Sequence, residues 1–117
     1  MGRIYKPVEV LYNGNSKITV GLIDTGADET VISERLAKKL NAGLYGTYKA
    51  FCASRFVLKG RYADITIKEL DTGKSIKIKV GVSDIPFDTD DINEEGLDLI
   101  LGVDFTQETG LKLSWLR

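Results

Sequence analysis

The chain has no histidine among its 117 residues. A Ser-His-Asp triad therefore cannot form, and most zinc sites lose their commonest nitrogen ligand. A single cysteine, Cys52, excludes an internal disulfide framework. No apolar run reaches the roughly 18 residues that read as a membrane-spanning helix. The opening "MGRIYKPVEV" lacks the apolar stretch of a signal peptide, and Lys6 stands where a myristoylation pattern requires Ser or Thr. Neither Gly-rich phosphate-binding pattern, G-x-x-x-x-G-K-[ST] or G-x-G-x-x-G, is present. A surplus of one charge is missing too. Sixteen Lys+Arg against seventeen Asp+Glu leave −1, so nothing draws the chain to nucleic acid or an anionic membrane. What is left for chemistry is carboxylates, lysines, tyrosines, hydroxyls and Cys52. A cytoplasmic location is the default expectation.

What is present is an ordinary globular composition, 43% hydrophobic, in a length that suits one domain over residues 1–117. Strand patterns dominate. "KPVEVLYNGNSKITVGLID" holds two alternating runs around an Asn-Gly hairpin signal, with Val8 and Val10 in one and Ile18 and Val20 in the other. "SERLAKKLNAG" predicts an amphipathic helix with Ser33 as N-cap, Leu36, Ala37 and Leu40 on one face, and Gly43 as its stop. "YGTYKAFCASRFVLKG" reads as an irregular or mobile hairpin. "RYADITIKELDTGKSIKIKVGVSD" reads as an antiparallel hairpin, with Ala63, Ile65 and Ile67 alternating with polar residues in one arm and Ile76, Ile78, Val80 and Val82 in the other. "LILG" is a short apolar strand, "VDFTQETG" a short helix ending at Gly110, and "LKLSWL" a final strand. The expected fold is mostly β, a small closed or barrel-like domain with one or two short helices.

Asp-Thr-Gly occurs twice, at 24–26 and at 71–73. The first copy ends the apolar run "VGLID". A carboxylate at the end of a buried strand is costly unless something uses it, and the following glycine lets another chain come close. The second copy lies between polar neighbours, Lys68-Glu69-Leu70 and Lys74, where Asp-Thr-Gly is common hairpin-turn chemistry. A bare Asp-Thr-Gly is weak evidence; the context separates the two.

"LIDTGADETVIS" resembles the active-site signature of retropepsins, the single-domain aspartic proteases of retroviruses and their cellular and prokaryotic relatives. A second mark of that family, a hydrophobic-hydrophobic-Gly element before a short helix, resembles "LILGVDFTQETG", carried by Leu99, Ile100, Leu101 and Gly102. The resemblance implies a homodimeric aspartic endopeptidase acting on peptides or unfolded protein without cofactor or metal. It implies Asp24 as the catalytic aspartate, paired with Asp24 of a second chain. Thr25 would tie the two active-site loops together, and Gly26 would admit the substrate backbone. Ala27 and Asp28 would bind substrate main chain. Cys52, Ala53 and Ser54 would contribute from the flap hairpin over the cleft.

The sequence departs from the viral pattern twice. No glycine-rich tip stands in "TYKAFCASRFVLKG", and Val103 replaces the arginine that pairs with the aspartate at position 28. "Gly-x-Asp-Phe" is closer to the cellular and prokaryotic members, with Asp104 expected to cap the short helix. These departures keep an alternative open, a catalytically weak dimerisation or peptide-binding module on the same fold. Three features have plain readings. Cys52 reads as a small apolar residue, with a redox brake on the flap as the alternative. The seven carboxylates from Asp84 to Asp98 read as a solvated loop, since Ile92 breaks the calcium-loop pattern. Trp115 suits either a dimer interface or core packing.

Overall fold

The computed structural model describes residues 4–24, 26–51, 57–84 and 97–110. Strand β1 (Tyr5–Tyr12) and β2 (Asn15–Ile23) form the first hairpin, in register from Tyr5↔Leu22 to Tyr12↔Asn15. Its turn is Asn13-Gly14, both at positive φ (50° and 90°), the backbone a two-residue primed turn requires. Short β3 (Val31–Ser33) leads directly into helix α1 (Glu34–Leu40). Then come β4 (Tyr45–Phe51), β5 (Val57–Glu69), β6 (Ser75–Ser83), β7 (Leu99–Leu101) and helix α2 (Val103–Thr109).

Six strands run in the order β1-β2-β7-β3-β6-β5, and β5 returns to β1 through pairs such as Val10↔Ile67. The result is a closed barrel with β4 added on the outer side of β5. Closure pairs β1 with β5 and leaves β4 as the edge strand among the described residues. Strand alternation fills the interior. Val8 and Val10, Ala63, Ile65 and Ile67, Val80 and Val82, Leu99 and Leu101 are all 2% exposed or less. Ile32, Leu36, Ala37 and Leu40 join them from the β3–α1 unit, and Phe105 from α2. Burial of each such large side chain contributes about 1.5–3 kcal/mol. A second, smaller cluster packs Tyr48 and Leu58 of the β4–β5 hairpin on Val31 and Leu97.

Ser33 caps α1 as expected, its hydroxyl accepting the Leu36 amide at 2.9 Å. The helix stops earlier than Gly43. Asn41 takes the left-handed conformation (φ 56°) and its amide closes on the last turn, so asparagine does there what glycine was expected to do. Helix α2 ends at Gly110 (φ 68°) as read. The β4–β5 arms are more regular than expected. They pair antiparallel from Tyr45↔Tyr62 to Phe51↔Val57, with one register shift between Tyr45 and Tyr48. The tip residues Cys52, Ala53 and Ser54, the acidic stretch 85–96 and the terminal "LKLSWLR" with Trp115 lie outside the described residues. On β2 the apolar alternation faces outward, leaving Ile18 71% and Val20 43% exposed. Among the described residues no helix is long and apolar enough to cross a membrane.

Candidate active site

The first Asp-Thr-Gly copy leaves β2 where β2 meets β7. Leu22 and Ile23 pair in parallel with Ile100 and Leu101, and the Asp24 amide continues the ladder by donating to the Leu101 carbonyl at 3.0 Å. Two further bonds curl the chain after it. The Gly26 amide donates to Asp24 Oδ1 at 2.9 Å, and the Ala27 amide to the Asp24 carbonyl at 3.1 Å. Asp24 is thus anchored through its backbone to a barrel strand while its carboxylate stands exposed. Rigid support with an open functional group is what a positioned acid–base residue needs.

The loop after Asp24 runs against the start of α2. Val103 and Asp104 amides donate to the carbonyls of Ala27 (2.8 Å) and Asp28 (3.2 Å). The Gly102 amide donates to Thr30 Oγ1 at 3.1 Å. Gly102 itself admits no side chain, because a Cβ there would lie 2.7–2.8 Å from the backbone of Ala27 and Glu29. The glycine of "LILG" is therefore a point of close backbone approach.

Asp104 departs from expectation. Gly102 holds the N-cap position of α2 and no side chain caps it. The Asp104 carboxylate instead reaches across to Thr30, accepting its amide at 3.0 Å and its hydroxyl at 2.7 Å, and also takes the Phe105 amide at 2.7 Å. Helix α2 begins with its first amides already bound to the loop, so a conventional cap is not required.

A cleft of about 440 Å³ opens beside Asp24. Val31, Tyr48, Ala50, Leu58 and Ile100 supply its apolar wall, and Gly26, Ala27, Asp28, Glu29 and Lys49 the remainder. Of the residues singled out in the sequence, Asp24, Gly26, Ala27, Asp28 and Ile100 come together here. Leu99 and Leu101 are fully buried beneath, and Gly102 is buried at the crossing. Thr25 lies outside the described residues. Among the described residues the exposed Asp28 side chain has no hydrogen-bonding or ionic partner; Val103 offers none where an arginine would. Sequence reasoning missed Glu29, Val31, Tyr48, Lys49, Ala50 and Leu58 as cleft residues. It also missed Thr30, whose hydroxyl joins the loop to Asp104.

The second copy is chemically different. Glu69, its side chain fully buried, accepts the amides of Asp71 and Thr72 (both 2.8 Å) and the Thr72 hydroxyl. Lys6 from β1 lies 2.6 Å from Asp71 and 3.7 Å from Glu69. Gly73 takes φ 76°, and Lys74 Nζ donates to the Thr109 carbonyl at the end of α2. Burial opposes ionisation of Glu69, but the bonds from Thr72 and Asp71 and the Lys6 charge outweigh it and hold its carboxyl below the usual range. Asp71-Thr72-Gly73 is a braced hairpin turn on the β5–β6 connection.

The sequence matches the aspartyl protease family over residues 8–105. The chain belongs to that family. The retropepsin likeness is visible in solved structures as well. EIAV protease, in complex with the inhibitor HBY-793, superposes with a TM-score of 0.68 at 26% identity, covering 96% of this chain and 92% of that one. The retroviral protease-like domain of Ddi1 from Leishmania major shares the fold with a TM-score of 0.60 at 18% identity, covering 97% and 82%. Comparison with curated protein sequences gives no match. This retropepsin-like chain thus carries Asp24 on the barrel rim and its second Asp-Thr-Gly in a structural turn.

Proposed function

We propose that the chain is one half of a homodimeric aspartic endopeptidase, with Asp24 of each copy facing the other across a two-fold axis. The observation that carries the reading is Asp24 itself. It is pinned to Leu101, exposed at the rim of an apolar-walled cleft, while Asp71 is engaged with Lys6 at a hairpin turn. An isologous interface can place two copies of one residue on its axis. Two carboxylates about 3 Å apart share a proton, so one takes a proton from a bound water as the other donates to the scissile carbonyl oxygen. Ala27 and Asp28 border the cleft where an extended peptide would lie, and the β4–β5 hairpin would add to it as a neighbouring strand.

The test is cleavage of reduced, unfolded casein at about pH 4–6, where a shared proton is retained, with the oligomeric state measured at the same concentration. Wild type should cleave as a dimer, and Asp24→Asn should dimerise without cleaving. Cleavage by a strictly monomeric chain would overturn the shared dyad. The Asp28 side chain, without a partner among the described residues, favours a second reading, a peptide-binding module of low activity. Peptide binding without cleavage by wild type or Asp24→Asn would select it.

A further inference from the structure

Asp24 is held by β7, but the rest of its loop is held by something else. Residues 27–29 border the cleft on one side, and Ala27, Asp28 and the buried Thr30 meet the start of α2 on the other. Two of their contacts there are backbone to backbone and do not depend on residue type. The third does. Thr30 donates both its amide and its hydroxyl to the carboxylate of Asp104, a residue 74 positions away, and its hydroxyl oxygen in turn accepts the Gly102 amide. Thr30 is fully buried, so these groups have no water to fall back on.

We propose that Asp104 is a positioning residue for substrate binding: acting through Thr30, it fixes the Ala27–Asp28 segment against α2. In this chain it takes over the bracing that a partner for the Asp28 side chain would otherwise supply. The inference rests on the peptide-cleft reading above. The carboxylate is matched to its surroundings in a way an amide is not. One oxygen accepts the Thr30 amide; the other accepts the Thr30 hydroxyl and the Phe105 amide. An asparagine would have to set its NH2 group against the Thr30 amide or against the Phe105 amide, donor against donor. Asp24, separately tied to Leu101, keeps its place. The loss therefore falls on binding and spares the chemical step.

The experiment measures kcat and KM for casein cleavage in wild type, Asp104→Asn, Thr30→Val and Thr30→Ser, well below each melting temperature. A parallel arm measures Kd for a labelled casein peptide with each change placed in the Asp24→Asn chain, where no cleavage intervenes. Asp104→Asn and Thr30→Val should each raise KM and Kd about tenfold and leave kcat within about twofold, the pattern of a lost binding interaction. Thr30→Ser, which keeps the hydroxyl, should restore most of the affinity lost in Thr30→Val. Unchanged KM and Kd in folded Asp104→Asn, or a fall in kcat at constant KM, would overturn the proposal. If Asp104→Asn does not fold, the Thr30 pair decides by the same criteria. Weakened Kd in a chain that never cleaves would support Asp104 and remove only the protease reading; absence of both cleavage and binding in wild type would remove both.

Discussion

Lys6 of β1 lies 2.6 Å from Asp71, the aspartate of the second Asp-Thr-Gly. This ion pair ties the β5–β6 turn to the first strand and occupies the carboxylate of the only other Asp-Thr-Gly in the sequence. Asp71 holds Lys6 in its charged form; that bond, opposed by partial burial and aided by Glu69, raises the lysine above its ordinary value. If Asp71 belongs only to the turn, Asp71→Asn should leave the casein cleavage rate within about twofold of wild type while costing about 0.5–1 kcal/mol of stability, the scale of an exposed pair. Steady-state kinetics beside urea unfolding checks both halves. A loss of activity like that of Asp24→Asn would make Asp71 a participant.

Glu69 is the buried member of that cluster. Its carboxyl is held below the usual range in the folded chain, so its ionised form is the one folding favours. The stability it contributes is fully present above the unfolded carboxylate pKa and is lost as pH falls through the folded value. Glu69→Gln should therefore cost about 2 kcal/mol near neutral pH, because three donors lose a charged acceptor. The difference from wild type should shrink in strongly acid solution. Urea midpoints across the pH range give the measurement; a gap that widened on acidification would contradict the sign.

Gly102 has backbone where a side chain would go. Gly102→Ala would bring a Cβ within 2.7–2.8 Å of Ala27 and Glu29. Backbone cannot step aside as a flexible side chain can, so the loop and α2 must part. The expected cost is about 1–3 kcal/mol, as for other overpacked sites. Cleavage should fall further than folding does, because the displaced segment borders the cleft. Thermal melting and activity on one preparation separate the two effects.

Tyr45 on β4 donates to Asp64 Oδ1 on β5 at 2.6 Å. That bond, with partial burial and the neighbouring charge, pushes the phenol up from 10.0 to about 12. Ionisation would remove the proton that Tyr45 donates and set a phenolate against a like charge, so the proton is retained. Titration of tyrosine absorbance should show one group ionising well after an ordinary tyrosine, and Asp64→Asn should bring that group back toward the ordinary range. An unchanged titration in Asp64→Asn would mean that the β4 arm is not seated on β5 as described.

Much of the fold was legible because its signals are short-range. Asn13-Gly14 can take positive φ and so turns the chain there whatever surrounds it. Ser33 reaches an amide three residues on, and the β5 and β6 alternations state their inward faces directly. The two aspartates were separable for the same reason, since an apolar strand before Asp24 and a polar run before Asp71 are both local.

What escaped depends on residues far apart in the chain. Strand β3 has only three residues and exists because β6 pairs it on one side and β7 on the other. Ile18 and Val20 carry the pattern of an inward face, yet the barrel turns that face to solvent. Glu69 is a charged residue in a polar run, and only the closing of β1 on β5 buries it, with the turn and Lys6 supplying its partners. The same holds at the site. "LIDTGAD" and "LILG" identify two segments, but the hydrogen bonds from Asp24 to Leu101 and from Thr30 to Asp104 arise only when the barrel lays those segments together. Residue types and spacing determine which turns and strands form and which aspartate ends an apolar run, although β2 itself is largely exposed. Burial and hydrogen-bond partners 74 positions away are decided by tertiary packing, because an isolated stretch of sequence has no neighbour to exclude water from it or to satisfy its polar groups.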